Sequence, residues 1–517
     1  MTASRTGLKR SESWILVATI LASSMVFIDG TAVNVALPLL QRDLHATIVE
    51  AQWFVESYAL FLAALILVGG SLGDHFGRKR MFVVGVIGFA AASALCGVAQ
   101  NSAQLIAARS AQGLASALLT PGSLAILGAS FTQAKRGQAI GVWSSFTAIT
   151  AAVGPVLGGF IVDHFSWRWI FFINVPLAAA AVAVTARFVP ESRDDEKVHH
   201  VDWLGALIAT GGLGAVVYAL IDASGAGWSA TDLAAFAIGL VLLAVFVVIE
   251  ARVPSPMMPP QLFANRNFGA INLLTFLLYG ALGGALFFMP FDLIQVQHYS
   301  PTAAGAALLP FIGLIFLLSP WAGSLVSSIG PKVPLVAGSL ISALALAGLA
   351  LPSIGGSYWT TFFPAMVALG FGMALVVSPL TTTVMGSVDP SRFGIASGIN
   401  NAVARTAGLL AIAVLTLAVV ATFNRALDSR LAHMAVPPKA LASLNTERPR
   451  LAAAKAPDFV PAAARTAIDD ALARSYVEGF RVAMLLAAGL ALAGALCAWW
   501  LIGQGLPTAS ERGPRSP

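Results

Sequence analysis

Apolar residues fill this chain in long unbroken runs, and the polar positions fall mostly in the short gaps between them. Runs of spanning length, about 20 residues at 1.5 Å per residue, occupy 14–40, 52–72, 81–99, 104–127, 138–162, 169–189, 203–221, 231–249, 269–290, 304–326, 333–351, 360–382, 395–422 and 481–502. The pattern predicts an all-α polytopic membrane protein with 14 transmembrane helices. Composition supports this: the 517 residues are 57% hydrophobic and 10% charged, with a mean hydropathy of +0.82, whereas a soluble domain carries about 25% charged residues. The usual length-based count of soluble domains therefore does not apply.

Charge orients the helices. With the amino terminus inside, the inner loops and tails hold 17 Lys or Arg and the short outer loops hold two, Arg42 and Arg168. Both termini are thus expected in the cytoplasm by the positive-inside rule. Nine further cations lie from Arg425 to Arg481, in a segment long enough to be translocated regardless of charge. The net charge of +6 belongs to this topology and implies no nucleic-acid partner. Cys96 and Cys497 lie far apart in apolar runs and imply no disulfide, and the seven histidines show no metal-ligand spacing; His199 and His200 read as solvated linker residues. Arg5, Lys9 and Arg10 precede a first run with no convincing cleavage site, so no signal peptide is expected.

The gaps divide the chain into a tail (1–13), six spans (14–189), a cytoplasmic linker (190–202), an inserted pair of spans (203–249), a second linker (250–268) with four prolines, six further spans (269–502) and a tail (503–517). Within the last unit, 423–480 reads as a proline-rich outer loop, solvated and partly disordered, with an Ala-rich stretch from Ala462 to Tyr476 able to form a short amphipathic helix. Repeated halves with substrate bound between them near the midplane are a common plan of secondary transporters.

Between the second and third runs lies Gly70-Ser71-Leu72-Gly73-Asp74-His75-Phe76-Gly77-Arg78-Lys79-Arg80. Its glycines suit a tight turn and its cations hold the turn inside. The pattern resembles the signature loop between helices 2 and 3 of the major facilitator superfamily. Gly323 to Lys332 repeats the glycine spacing in the second half without the acid. The resemblance implies that Gly70, Asp74, Gly77, Arg78 and Lys79 form a conformational switch loop, with Asp74 helping to lock the halves together when the outside is open.

In the fourth span Arg109, Gln112, Ser116 and Thr120 fall within about 80° of arc, beside Gly113. A cation in a spanning helix is costly unless it faces protein, water or a counter-ion, so Arg109 should point inward. R-x-x-Q-G is similar to the superfamily's helix 4 motif, in which the arginine is linked to proton coupling. In the fifth span Thr147, Thr150, Gly154 and Gly158 share a face, with Pro155 and Gly159 adjacent. Close helix packing explains this stripe, and G-P-x-x-G-G is similar to the motif of the superfamily's exporters.

Asp29 to Pro38 in the first span and Trp167 to Pro176 entering the sixth resemble signatures of the 14-helix drug:proton antiporter family. Gly394, Ala396, Ser397, Gly398, Asn401, Arg405 and Gly408 are similar to its helix 13 motif, and Ser397, Asn401 and Arg405, with Gln112 of the fourth span, form a polar seam expected between the halves. Asp29 is an acid deep in the first span, read as the proton-coupling residue with Arg109 or as an acid that only pairs with Arg109. Glu56, at the outer start of the second span, reads as a second titrating acid or as an interface residue within reach of water.

The resemblance implies proton-driven efflux of hydrophobic or amphipathic compounds across the cytoplasmic membrane by alternating access, with protons, lipid and small hydrophobic or cationic substrates as partners, no cofactor beyond the proton gradient, and function as a monomer. An exporter of a metabolite, lipid or siderophore would share these motifs. A polytopic enzyme would need clustered catalytic groups and a sensor a signalling domain, and neither is visible; no P-loop pattern points to ATP. Cysteine labelling in intact cells tests the topology. An impermeant maleimide should modify Pro449→Cys and not His75→Cys, and the opposite result would invert the arrangement.

Overall fold

The computed structural model describes residues 10–193, 202–254, 256–389, 392–434 and 436–503. The first nine residues, His199 and His200, most of the first linker and the tail from 504 on lie outside the described residues. Among the described residues, fourteen helices are long and apolar enough to cross a membrane. Spans 1–6 are Ser11–Asp43, Ile48–Phe76, Arg78–Val98, Ser102–Ser130, Lys135–His164 and Arg168–Phe188. Spans 7 and 8 are Trp203–Gly225 and Ala230–Glu250. Spans 9–14 are Arg266–Val296, Pro301–Ile329, Lys332–Leu349, Phe363–Gly386, Phe393–Leu431 and Ala462–Leu501.

Several span starts are capped by side chains, which supply acceptors for orphan backbone N–H groups. Thr47 with Glu50 and Ser229 with Asp232 form reciprocal capping boxes on spans 2 and 8, while Asn101 and Asn265 cap spans 4 and 9. The turns that end spans 2 and 10 use the only backbone that fits, since Gly77 has φ 106° and Gly330 φ 75°. The two glycines occupy corresponding points of the two halves, so the faint sequence repeat is a structural one.

Spans 1–6 and 9–14 form two bundles. Spans 7 and 8 pack on each other, and Leu213 and Val217 of span 7 join Leu60 and Ala63 of span 2 and Leu409 and Ala413 of span 13 in one buried cluster. The inserted pair thus lies across the line where the halves meet. At the other edge of this line, span 5 meets the short helix Pro301–Ala306 that opens span 10. A Cβ on Gly159 would sit 2.3 Å from the Pro301 carbonyl oxygen, and one on Gly305 would sit 2.2 Å from that of Pro155. Gly154 and Gly158 press the same span against span 1, where a Cβ would fall 1.9 Å from Thr31 Oγ1 and 2.6 Å from Ala32 Cβ. Toward the opposite end, Phe146 and Ile149 of span 5, Leu317 and Trp321 of span 10 and Phe393 of span 13 are exposed. The halves meet at the Pro301 end through these backbone contacts, and toward the Asp74 loop through Gly398 of span 13 against Leu67 of span 2.

The segment 423–480 differs from the expectation of a loosely solvated loop. Span 13 stays helical to Leu431 and span 14 begins at Ala462. Charges end an apolar run, yet a helix continues wherever one face remains packed. Here Phe423, Leu427 and Leu431 on one helix and Ile468, Leu472 and Tyr476 on the other are buried, and Arg430 pairs with Glu478 while reaching Ser475 Oγ at 3.3 Å. Between them, the helix Pro438–Glu447 and the 3₁₀ turn Arg448–Ala453 fold over the Pro301 end, where Gln41 Nε2 of span 1 donates to the Arg450 carbonyl at 3.1 Å. Leu451 is 1% exposed with φ 52°. Left-handed backbone at a leucine costs on the order of 1–3 kcal/mol, which burial of its side chain, about 1.5–3 kcal/mol, offsets.

Gly159→Leu should therefore wedge the halves apart at the Pro301 end. Overpacking of this kind costs about 1–3 kcal/mol, enough to lower transport roughly tenfold and to expose Thr31→Cys to an impermeant maleimide. Unchanged transport with no new labelling would mean that this face is not a seal.

Candidate functional site at the seam of the halves

Span 1 contributes Asp29, and span 4 contributes Arg109 and Gln112 from one helical face. Arg109 Nη1 lies 2.5 Å from Asp29 Oδ2 and donates to Gln112 Oε1 at 2.7 Å; Gln112 Nε2 donates to Asp29 Oδ1 at 2.9 Å. Arg109 Nε donates to the Phe54 carbonyl of span 2 at 2.8 Å, and the guanidinium carbon stands 4.3 Å from the centre of the Tyr58 ring. Ser116 Oγ donates to the Tyr58 hydroxyl at 3.2 Å. Asp29 is 0% and Arg109 1% exposed. Every oxygen of the carboxylate is thus hydrogen-bonded, and the cation has an acid, an amide, a carbonyl and an aromatic face. A single charge at mid-membrane costs about 2.5–3.5 kcal/mol on the insertion scale, which opposite charges in contact offset for each other.

Three of the four residues in the span 4 stripe enter this cluster. Thr120 does not, and its hydroxyl is buried without a partner. Glu56 is a correction: it is 0% exposed rather than within reach of water. Gln52, one turn earlier, donates Nε2 to Glu56 Oε1 at 2.8 Å, while Oε2 is buried with no partner. Glu56 shares no hydrogen bond with Asp29 or Arg109.

Gly154, Pro155, Gly158 and Gly159 form the seal described above. At the turn after span 2, Asp74 Oδ1 accepts from Arg78 Nε at 2.8 Å and lies 2.7 Å from Nη2, within the first half. Gly70 packs beside Pro121. Lys79 Nζ donates to the Ala186 carbonyl at 3.1 Å. A residue that sequence reasoning left in a linker, Glu191, accepts from Lys79 N at 3.0 Å and Arg80 N at 3.2 Å. A carboxylate on orphan N–H groups at the positive end of a helix is favourable. A Cβ at Gly77 would lie 2.8 Å from Glu191 Oε1, so this glycine serves both the turn and the cap.

On span 13, Asn401 donates to the Ser397 carbonyl of its own helix at 3.0 Å, and its neighbour Asn400 bridges to Asn272 and Thr275 of span 9 at 3.1 and 2.8 Å. Gln112 belongs to the Asp29 cluster rather than to this face. Arg405 lies near Tyr58 across the seam.

Sequence reasoning missed two further residues. Tyr58 links Arg109 to Ser116, and no motif signals it. Asp292 is 1% exposed in a π-helical turn, Asp292–Val296, that extends span 9; its Oδ1 has no partner and its Oδ2 accepts from Gln297 Nε2 at 3.4 Å. The apolar run appeared to end at Pro290, which left this acid in a loop. An acid immediately after an apolar run, followed by two more apolar residues, was the available signal.

The profile of the Major Facilitator Superfamily matches residues 19–412, and the chain belongs to that superfamily of transporters. It is similar to the tetracenomycin C resistance and export protein of Streptomyces glaucescens, 31% identical over 95% of this chain and 91% of that protein. The puromycin resistance protein of Streptomyces alboniger is 32% identical over 97% and 94%, and the multidrug resistance protein Stp of Mycobacterium tuberculosis 33% over 98% and 96%. A solved bacterial homologue of the lysosomal transporter Spinster, in an inward-facing conformation, shares the fold with a TM-score of 0.67, 18% identity and coverage of 95% and 97%.

Arg109→Gln should leave Asp29 as a buried, unanswered charge, at a cost of about 3–5 kcal/mol. Asp29→Asn combined with Arg109→Gln leaves no charge behind and should recover part of the loss. Thermal unfolding of purified protein checks this. A double variant no more stable than the single one would show that the pair is not what holds spans 1 and 4.

Proposed function

We propose that this protein is a proton-coupled exporter of small hydrophobic or amphipathic compounds, working by alternating access as a monomer in the cytoplasmic membrane, with both termini inside and no cofactor. The observation that carries the reading is the sealed Asp29–Arg109–Gln112 cluster in the first half, beside the seam. Its support comes also from relatives whose names record antibiotic or multidrug resistance and export.

The chemistry follows from charge balance. A proton on Asp29 removes the counter-charge of Arg109, and a lone guanidinium in a low dielectric must then find another acceptor or water. Arg109 also holds the Phe54 carbonyl and lies over Tyr58, so its movement disturbs the contact of spans 1, 2 and 4 together. A proton taken from one side favours one arrangement of the halves, and substrate binding at the seam favours the other; the difference in affinity for the two arrangements couples them. In the opposite state, with the Asp74 end closed, Asp74 would exchange its local pair with Arg78 for contacts across the halves.

Asp29→Asn keeps shape and hydrogen bonding but cannot titrate. The variant is expected to insert with somewhat lowered stability, since Arg109 retains Gln112, the Phe54 carbonyl and Tyr58, and to lose proton-driven efflux in liposomes under an imposed pH gradient. Undiminished coupled efflux would move the coupling site elsewhere, with Glu56 next to be tested.

A further inference from the structure

We propose that the compounds carried by this protein are amphipathic organic anions, and that Arg405 binds their negative charge at the seam. The proposal rests on the efflux reading above and concerns the charge of the cargo.

Few charges lie near the middle of the membrane where the halves meet. Asp29 and Arg109 answer each other and are sealed, so neither offers a charge to a ligand. Glu56 is enclosed with Gln52. A cationic cargo therefore finds no free carboxylate on this part of the seam. Arg405 is different. It is only half-buried, its Nε is buried without a hydrogen bond, and among the described residues no carboxylate lies within ion-pair distance of it.

The position of Arg405 is set by the face of span 13 that meets span 2. Gly398, on that side, packs against Leu67, and Arg405 lies by Tyr58. The same stretch borders open space, because a Cβ added at Gly394 or Gly408 would meet nothing within 4 Å, and Asn401 is exposed. On span 1 a Cβ at Gly30, next to Asp29, would also meet nothing within 4 Å. Arg405 thus presents a planar fork of donors beside open space along span 13, with no anion to occupy it among the described residues.

A lone guanidinium within a membrane span is costly unless an anion or water answers it. A guanidinium matches a carboxylate with two parallel hydrogen bonds, and such charge-assisted pairs are about twice as strong as neutral ones. The cargo chemistry that fits is one acidic group, carboxylate or similar, on an apolar frame that lies along the helices. The energetics of transport agree. An anion leaving a cell with a negative interior while a proton enters moves charge down the electrical gradient twice, at about 2.3 kcal/mol per charge for each 100 mV.

Three fluorescent probes that differ only in charge test this on the full-length protein in lipid nanodiscs: anthracene-9-carboxylate, anthracene-9-carboxamide and 9-(aminomethyl)anthracene. The carboxylate should bind about tenfold tighter than the amide, and the ammonium weakest. Arg405→Gln should abolish that preference and Arg405→Lys should keep most of it, with thermal unfolding showing that each variant is folded. Binding of the ammonium probe above the carboxylate, binding of none of the three, or a preference that survives Arg405→Gln would overturn the proposal. An equal loss for all three probes in Arg405→Gln would do so too, because it would make Arg405 a residue that pairs across the halves rather than one that reads the cargo.

Transport separates this from the broader reading. If the carboxylate binds in an Arg405-dependent way but is not moved by an imposed pH gradient in liposomes, proton-coupled efflux fails and the charge assignment stands. If probes are moved with no Arg405-dependent preference, the reverse holds.

Discussion

A charge placed inside a bilayer has to be answered by another group at once, because neither lipid nor solvent screens it. The Asp29–Arg109 contact is the clearest case in this protein. Three spans are tied together by one guanidinium, which reaches the carboxylate of span 1, the amide of its own span and a carbonyl of span 2. Such a contact is poor glue in comparison with well-packed apolar groups, since desolvation consumes most of the attraction. For the same reason the balance of the cluster is sensitive to the charge on either partner. The residues that stand apart from this rule are also informative. Among the described residues, Arg405 has no anion beside it, and Glu56 and Asp292 each keep a buried oxygen with no partner.

Where charge is absent, contact distance does the organising. Hydrophobic burial gives little preference for one helix over another in lipid, so close backbone approach and its dispersion energy decide which helices touch. Gly154, Gly158, Gly159 and Gly305 bring span 5 against span 1 and against the start of span 10 at distances that admit no side chain. One end of the seam is closed by these contacts and by the folded cap around Leu451. The other end, near the Asp74 loop, has no equivalent run of small residues in contact across the halves among the described residues.

Much of the architecture was legible along the chain. The number of spans follows from run length, because a helix that satisfies its own backbone must be about 20 residues long to cross the hydrocarbon. The Arg109 stripe was legible because a 3.6-residue period is visible wherever polar residues are rare. The reading failed where apolar run length and helix length part company. Spans 13 and 14 extend past the charges at Arg425, Asp428 and Arg474, because their buried faces continue to Leu431 and start again at Ile468. Asp292 was lost for a related reason: a π-helical turn carries the span beyond Pro290.

The sequence by itself determined the class of protein, the spans, the turn at Gly77 and the residue types able to pair or to pack closely, since these depend on neighbours within one or two helical turns. Tertiary structure alone decided partners. Nothing local says that Arg109 meets Asp29 from 80 residues away, that Glu191 caps the helix beginning at Arg78, that Gly159 faces Pro301, or that Arg405 has no acid beside it among the described residues. Those pairings depend on how the helices are placed around one another, and in a membrane that placement is set by contacts between surfaces that are far apart in the chain and almost equally apolar.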